Sequence, residues 1–577
     1  MRVYRTTMLA LRALFRSSET ALILLSLFCG LCAGLLTLAQ GNIAHWIQSV
    51  LFGIGVGRLS EIGSVGLWSL MALPIAGAII AFSNQSLKKR KWVPVDVVEA
   101  NSLMGGAIPV RDTLFVCGQT LVSNGFGASV GLEAAYAQSG GGLASLIGQW
   151  LRLRRADLRV LVGAGAGAAV GAAFGAPLTG AFYAFEIVIG AYTPGAIAPV
   201  AGAALAAVLT TRAAGMPGYL IALPSAHAIT TVDYFLYAGL ATICAFVGIM
   251  TMQAVTLTEA LMRRLPGPDR LRPIVGGLLL MPIAWISPQS LSAGHGALYL
   301  DLTTKVSLSF LAMVLILKIA ASVLSLGSGF RGGLFFASLF LGSLVGQLFA
   351  GAVAFIPGAP TVDPSDAALI GMAALGVAIV GGPMTLSLLV LEVTHDFALT
   401  GIAVMAALVA STLVRETFGY SFSTWRLHTR GETIRSARDV GWVRNLTAGS
   451  MMREGVPEAN VKQTVQDFRQ RFPLGSIRRV LLVDDDHCFA GFLDTAKLYG
   501  AEIDERSHVG LLAVDSDATV SPLEGVDSTM LAFSRHETED LAVTDGHGKA
   551  LGTLSENYVR RRYSEELEKV QKDLFRE

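Results

Sequence analysis

Gly125-Phe126-Gly127-Ala128-Ser129-Val130-Gly131-Leu132-Glu133 places three glycines and one carboxylate inside an apolar stretch of chain. A carboxylate at the centre of a membrane-spanning helix costs roughly 3 kcal/mol. A residue kept at that cost faces an aqueous path or a partner. The glycines before it let backbone N–H groups approach a ligand with no Cβ in the way. A helix beginning near Glu133 would add its free N–H groups and its dipole, which together make an anion site. The carboxylate is itself an anion, so it can occupy that site and compete with an ion from solution.

Gly327-Ser328-Gly329-Phe330-Arg331-Gly332-Gly333-Leu334-Phe335-Phe336 repeats the frame 202 positions later. Gly125, Gly127, Gly131 and Leu132 match Gly327, Gly329, Gly333 and Leu334, and Phe335 stands where Glu133 stood. Pro177-Leu178-Thr179 running to Glu186 recurs as Pro383-Met384-Thr385 running to Glu392, at an offset of 206. Two matched pairs in register indicate duplicated halves. In membrane transporters, glycine-interrupted segments at corresponding places in two halves mark the binding site. Gly131 and Gly333 are therefore expected to face each other, their N–H groups converging on one ion.

Composition sets the setting. The 577 residues are 53% hydrophobic and 15% charged, against about 25% charged in soluble proteins, and mean hydropathy is +0.56. This is a polytopic membrane protein. A net charge of +1 gives no general attraction for nucleic acid, and the five cysteines are scattered without metal or redox spacing. Residues 1–19 read as a cytoplasmic basic segment with no cleavable signal peptide. Spans are expected at Thr20–Leu38, Val65–Phe82, Phe235–Thr251, Ile274–Trp285, Leu308–Leu324, Ala337–Phe355, Ala368–Val380 and Gly401–Val414. Between Val110 and Leu209 the apolar segments are short and glycine-broken, and Val160–Ala173 is too short to cross comfortably. Broken helices of this kind are tolerated where they are buried in protein or line a cavity. The basic clusters Lys88–Lys91, Arg152/Arg154/Arg155 and Arg263/Arg264 place their loops, and both termini, on the cytoplasmic side of the inner membrane.

The membrane domain so read covers 20–430, followed by a linker over 431–444. From 445 to 565 charges return. Val480–Val483, an acidic turn and Phe489–Leu493 read as strand, turn, strand, and Leu541–Val543 with Leu551–Leu554 repeat the unit. This region reads as a soluble α+β pair of repeats, and 566–577 as a charged helical tail.

Several residues admit two readings. Gly127-Ala128-Ser129-Val130-Gly131 matches the G-x-S-x-G pattern of a hydrolase nucleophile, which would make Ser129 the nucleophile of a membrane-embedded serine hydrolase. The second copy keeps the glycines but has Arg331 in place of Ser129, so the glycines are the shared feature. Glu133 is either a gate or proton carrier in an ion path, or a membrane-edge carboxylate. Phe335 lines the path or packs in the core. Arg331 forms a salt bridge at a helix end or supplies positive potential along an anion path. Glu186 and Glu392 end matched helices and read as caps or backbone partners, and Pro177 and Pro383 suit helix starts.

Together these residues resemble the CLC family of chloride channels and proton-coupled chloride transporters. Gly131-Leu132-Glu133-Ala134-Ala135 is similar to the family's G-R/x-E-G-P element, Gly333-Leu334-Phe335-Phe336-Ala337 to its G-x-F-x-P element, and Pro177–Glu186 to its N-A-P-L-x-G…E stretch. The resemblance implies an all-α polytopic domain of two inverted-topology repeats with broken helices, and a C-terminal α+β pair of cystathionine-β-synthase (CBS)-like domains. It implies Glu133 as the gate and an anion site built from Ser129, Gly131, Leu132, Gly333, Leu334 and Phe335. The family's G-S-G-I-P serine is expected near Lys91–Pro94, where this chain has none. Its central pore tyrosine falls on Ser423, with Tyr420 one turn earlier, and its internal proton-transfer glutamate falls on Ile187. The implied function is a chloride channel or weakly proton-coupled transporter, with a tightly coupled chloride/proton antiporter as the alternative. The implied partners are chloride, protons, the lipid bilayer and a second copy of the chain in a homodimer. No cofactor and no nucleic acid are expected. The S/T-x-x-D run of CBS nucleotide sites is replaced by Asp494…Lys497 and Ser555…Tyr558, which favours a structural role over nucleotide sensing.

Overall fold

The computed structural model describes residues 18–54, 59–61, 63–89, 92–216, 230–264, 271–303, 306–358, 360–428, 446–500 and 503–575. Residues 1–17, part of the first basic cluster (Arg90 and Lys91) and the 431–444 linker lie outside these. The chain divides into two compact units, 1–439 and 440–577.

The first unit is helical. In chain order it contains α1 (Glu19–Phe52), α2 (Ala72–Lys89), α3 (Val97–Leu103), α4 (Val110–Gly125), α5 (Glu133–Leu151), α6 (Arg155–Phe174), α7 (Pro177–Tyr183), α8 (Pro194–Ala213), α9 (Thr231–Arg264), α10 (Arg272–Ile286), α11 (His295–Thr303), α12 (Leu308–Ser328), α13 (Phe335–Ala354), α14 (Pro364–Val380), α15 (Pro383–Thr394), α16 (Phe397–Thr417) and α17 (Phe422–His428). A π-helical turn, Ala184–Ile189, continues α7. Among the described residues, eight helices are long and apolar enough to cross a membrane.

Four expectations about the spans are corrected, and two of them concern Ile274–Trp285 and Ala368–Val380, which fall on helices of 15 and 17 residues, shorter than the candidate spans. α1 runs 34 residues rather than stopping at Leu38. Its glycines do not break it, because Gly30 and Gly34 serve as contact points where a Cβ would collide with the Ala203 and Ala207 backbone of α8. Val160–Ala173 belongs to α6, a 20-residue helix that is long enough to span. Its first turn carries Arg155, Asp157 and Arg159, which hid its true start.

The duplication is visible in the order of elements. Helix, glycine loop, helix, helix and proline-started short helix run from α4 to α7 and again from α12 to α15. α5 crosses α6 where Gly140 meets Gly165, and α13 crosses α14 where Gly342 meets Gly371; a Cβ on any of the four would strike the opposing carbonyl. These pairs repeat the offsets of 202 and 206. Small residues at crossings let helix backbones approach closely in membrane proteins.

Glu186, leaving α7, accepts hydrogen bonds from Met384 N–H, Thr385 N–H and Thr385 Oγ1 at the start of α15, at 3.1, 2.9 and 2.6 Å. Glu392, near the end of α15, accepts from Leu178 N–H, Thr179 N–H and Thr179 Oγ1 at the start of α7, at 2.7, 2.8 and 2.7 Å. Each half thus caps the other's helix, satisfying N–H groups that a helix start leaves without partners. Such reciprocity fits a pseudo-two-fold relation between the halves, as the duplicated repeats of membrane transporters have. The expected capping role of both glutamates is met.

The second unit is α+β. The strands β1 (Glu458–Asn460), β2 (Arg479–Val483) and β3 (Phe489–Asp494) form one sheet in that order, and β4 (Thr519–Val520), β5 (Asp540–Thr544) and β6 (Ala550–Ser555) form another. In each sheet the first pair is parallel and the second antiparallel, with an irregularity one residue before or at the end of the middle strand. The two hairpin tips join through Phe489 N–H to Gly548 O at 2.9 Å and Ala550 N–H to His487 O at 3.1 Å. Both expected hairpins are present, and the unit has the paired-repeat architecture of CBS-like domains. The short first strand of each repeat was not legible in hydropathy.

Candidate functional site

Gly131 N–H donates to Gly333 O at 2.9 Å, and Gly333 N–H donates back to Gly131 O at 3.3 Å. The two loops therefore meet as a minimal antiparallel bridge. The glycines face each other as expected, but their N–H groups do not converge on an ion, because each is spent on the other's carbonyl. Backbone groups in a low-dielectric interior take the nearest partner.

The bridge leaves a cradle, and Glu133 fills it. A Cβ on Gly131 would overlap the Glu133 carboxylate, and one on Gly333 would lie 3.3 Å from Glu133 Oε2. Glycine at 131 leaves room for the carboxylate as it is seated, and glycine at 333 leaves it uncrowded. Glu133 is the first residue of α5, and its carboxylate faces the N–H groups of Glu133 itself and of Phe336 in the first turn of α13. Two helix N-termini, one from each half, thus point at one negative group. Glu133 is 4% exposed, and its Oε2 has no hydrogen-bond partner among the described residues.

The neighbours of the cradle are apolar or committed elsewhere. Leu132 and Leu334 are the buried residues that precede α5 and α13. Phe335 is buried against Phe174 and Tyr183, with ring centroids 5.1 and 6.0 Å away. Phe336 stacks on His295 at 3.5 Å. Ser129 sits behind the loop, its hydroxyl 3.0 Å from Ser322 Oγ and its N–H donating to Ser325 Oγ at 3.0 Å. That pairing ties Ser129 to α12 rather than to a histidine. Arg331 donates its N–H to Ser123 Oγ at 3.0 Å, and its guanidinium lies 5.8 Å from the Phe115 ring centre.

A separate cavity of about 230 Å³ is lined by Ile187, Glu186, Tyr420, Ser421, Ser423, Thr424, Arg415 and neighbouring residues of α14 and α16. Tyr420 and Ser423 thus come together with Ile187, although they are not at the cradle. Tyr183, one turn before Ile187, was missed by sequence reading. Its ring contacts Phe335, and it feels the charges of Asp96 and Glu133. Gly105-Gly106-Ala107-Ile108-Pro109 shares three of the five letters of the G-S-G-I-P element and forms the turn between α3 and α4, where Gly105 and Gly106 adopt φ of 64° and 85°.

The family profile described as voltage gated chloride channel matches residues 76–415, which contain the cradle, both loops and both capping glutamates. The chain belongs to the voltage gated chloride channel family. It is 29% identical over 376 residues to the ClcB-like chloride channel protein of Ralstonia nicotianae, covering 63% of this chain and 87% of that one. Its fold resembles that of a slow cyanobacterial Cl−/H+ antiporter, with TM-score 0.61 at 20% identity, over 71% of this chain and 97% of that one. It also resembles a eukaryotic CLC transporter, with TM-score 0.58 at 18% identity, over 95% of this chain and 98% of that one. This voltage gated chloride channel family member is a multi-pass membrane protein, and its relatives include one named as an H+/Cl− exchange transporter, from Vibrio parahaemolyticus, 29% identical over 59% of this chain and 75% of that one.

Proposed function

We propose that this chain passes chloride across the inner membrane through one path per subunit of a homodimer, with Glu133 as the gate. The observation that carries the reading is the Glu133 carboxylate seated in the Gly131–Gly333 cradle at the start of two helices. Ionised, it is an anion in the place built for one. Protonated, it loses the attraction of the helix ends and leaves, and a chloride ion takes its place. In this reading Tyr183, whose ring lies against Phe335, lends its hydroxyl to the path, and the Ile187 cavity and both termini face the cytoplasm.

A channel or weakly coupled carrier fits better than a tight antiporter. Ile187 lines the cavity where family antiporters are expected to carry a proton-transfer glutamate, and an aliphatic side chain moves no proton. Glu186 beside it already accepts from Met384, Thr385 and Tyr192 Oη. The C-terminal unit acts in a structural role without nucleotide or other cofactor. Truncation near 445 should leave flux in place, and titration with adenine nucleotides should give no binding.

The reversal potential of the purified protein in a bilayer, under separate chloride and pH gradients, tests the reading. A potential that follows chloride alone supports a channel. A fixed proton share overturns weak coupling, and no chloride current at all overturns the reading itself.

A further inference from the structure

Lys318 lies within the apolar helix α12 and is fully buried. A charge kept inside a membrane span is costly and marks a functional position unless it is otherwise explained. Its Nζ donates to the carbonyls of Ser292 at 2.7 Å and Ser290 at 3.2 Å. Four and seven residues further along the same face of α12, Ser322 and Ser325 bond the hydroxyl and the N–H of Ser129. This face of the helix is therefore turned towards the loop that leads into Glu133.

Ser292 extends the connection. Its N–H donates to Gly127 O at 3.1 Å, and its hydroxyl lies 3.0 Å from Asn124 Nδ2. Asn124 Nδ2 also donates to Val130 O at 2.7 Å, next to Gly131. Lys318 is thus linked through Ser292 and Asn124 to the loop that ends at the cradle. Lys318 and Glu133 are buried ionisable groups of opposite sign at the two ends of this network, and they attract each other through the interior. The other groups facing Glu133 are the neutral Tyr183 from α7, the Phe336 N–H from α13 and the glycine backbone.

We propose that Lys318 is the buried cation of the anion path, its charge upheld by the negative occupant of the cradle, whether the Glu133 carboxylate or a transported anion. This rests on the reading of Glu133 as the gate. Opposite charges attract more strongly in a protein interior than in water. Lys318 therefore stabilises both occupants and sets the pH at which one gives way to the other. Without the cation, the ionised carboxylate is less stable in the cradle, so it protonates and leaves at a higher pH.

The test compares Lys318→Gln, which keeps an N–H donor for Ser290 and Ser292 but no charge, with Lys318→Arg, which keeps the charge. Chloride affinity is read by calorimetry on the purified full-length protein, and the pH profile by chloride efflux from liposomes. Lys318→Gln should weaken chloride binding about tenfold and move the efflux midpoint about one pH unit or more towards alkaline values. Lys318→Arg should stay close to wild type. In a Glu133→Gln background, Lys318→Gln should still weaken binding, with no midpoint left to move. A monodisperse Lys318→Gln protein with wild-type affinity and midpoint overturns the proposal. Loss of folded protein in Gln but not Arg, with the Lys318→Met variant folded and wild-type in both readouts, also overturns it. Wild-type protein that carries no chloride would instead overturn the gate reading, and calorimetry would still report on Lys318.

Discussion

Gly131 and Gly333 are hydrogen-bonded to each other in both directions, 2.9 Å one way and 3.3 Å the other. They lie 202 residues apart in the chain. The bridge joins the two halves at their glycine loops and consumes the two N–H groups that would otherwise bind an ion. What remains to attract an anion is the pair of helix starts beyond it, at Glu133 and Phe336.

Replacing Glu133 by Gln keeps the shape of the protonated acid and removes the charge. Chloride efflux should become constitutive, its pH dependence largely lost and any proton coupling abolished. Efflux from liposomes at acid and neutral pH, wild type beside Glu133→Gln, reads this directly. A Gln variant that kept the wild-type profile would remove Glu133 from the gate.

Alanine at the two glycines should act unequally. A methyl at Gly131 falls on the carboxylate itself, whereas one at Gly333 sits 3.3 Å from it. Gly131→Ala should lower chloride flux about tenfold or more, because the anion needs the same space, a loss of about 1.4 kcal/mol in site occupancy. Gly333→Ala should cost less. Equal fluxes in both variants and the wild type would show that the cradle is not on the path.

Glu392→Ala removes the acceptor of three donors at the start of α7. The expected loss is on the order of 2 kcal/mol, since hydrogen bonds to a charged group are the stronger kind and the donors are left with only partial access to water. Unfolding of the detergent-solubilised protein should shift to lower temperature. Glu392→Gln, which keeps an acceptor oxygen, should fall between. A melt unchanged in the Ala variant would make the clasp incidental.

The C-terminal hairpins should be acid-sensitive. The backbone N–H of Lys549, and then that of His547, hold the Asp545 carboxyl below the usual carboxylate range. A hydrogen bond from Lys462, and then one from Asn460, do the same for Asp485. A lowered folded-state value means that the stabilisation is present above the unfolded value of about 3.9 and is lost as pH falls through the folded one. Hydrogen exchange at residues 540–555 of the full-length protein should speed up on acidification beyond the intrinsic change. Asp545→Asn, which retains an acceptor but cannot titrate, should lose that excess; an identical profile in both proteins would count against the turn.

Much of this was legible in the chain itself. Hydropathy marks a membrane protein, because long apolar segments with few charges have no other stable place. The glycine frames and proline–glutamate segments recur at fixed offsets, so the duplication follows from comparing the chain with itself. The carboxylate of Glu133 stands out by its cost. Other features depended on which residues meet across hundreds of positions. Local spacing cannot tell that Gly131 and Gly333 use up one another's N–H groups, that Glu186 caps the helix starting at Pro383, or that Tyr183 lies against Phe335. Lys318 illustrates the difference most clearly. In sequence it is one basic residue in the apolar run Leu308–Ser328. Only the packing of α12 against the loop before Glu133 turns it into a buried charge linked to the cradle, because electrostatic partnership is decided by distance through the folded interior and not by position along the chain.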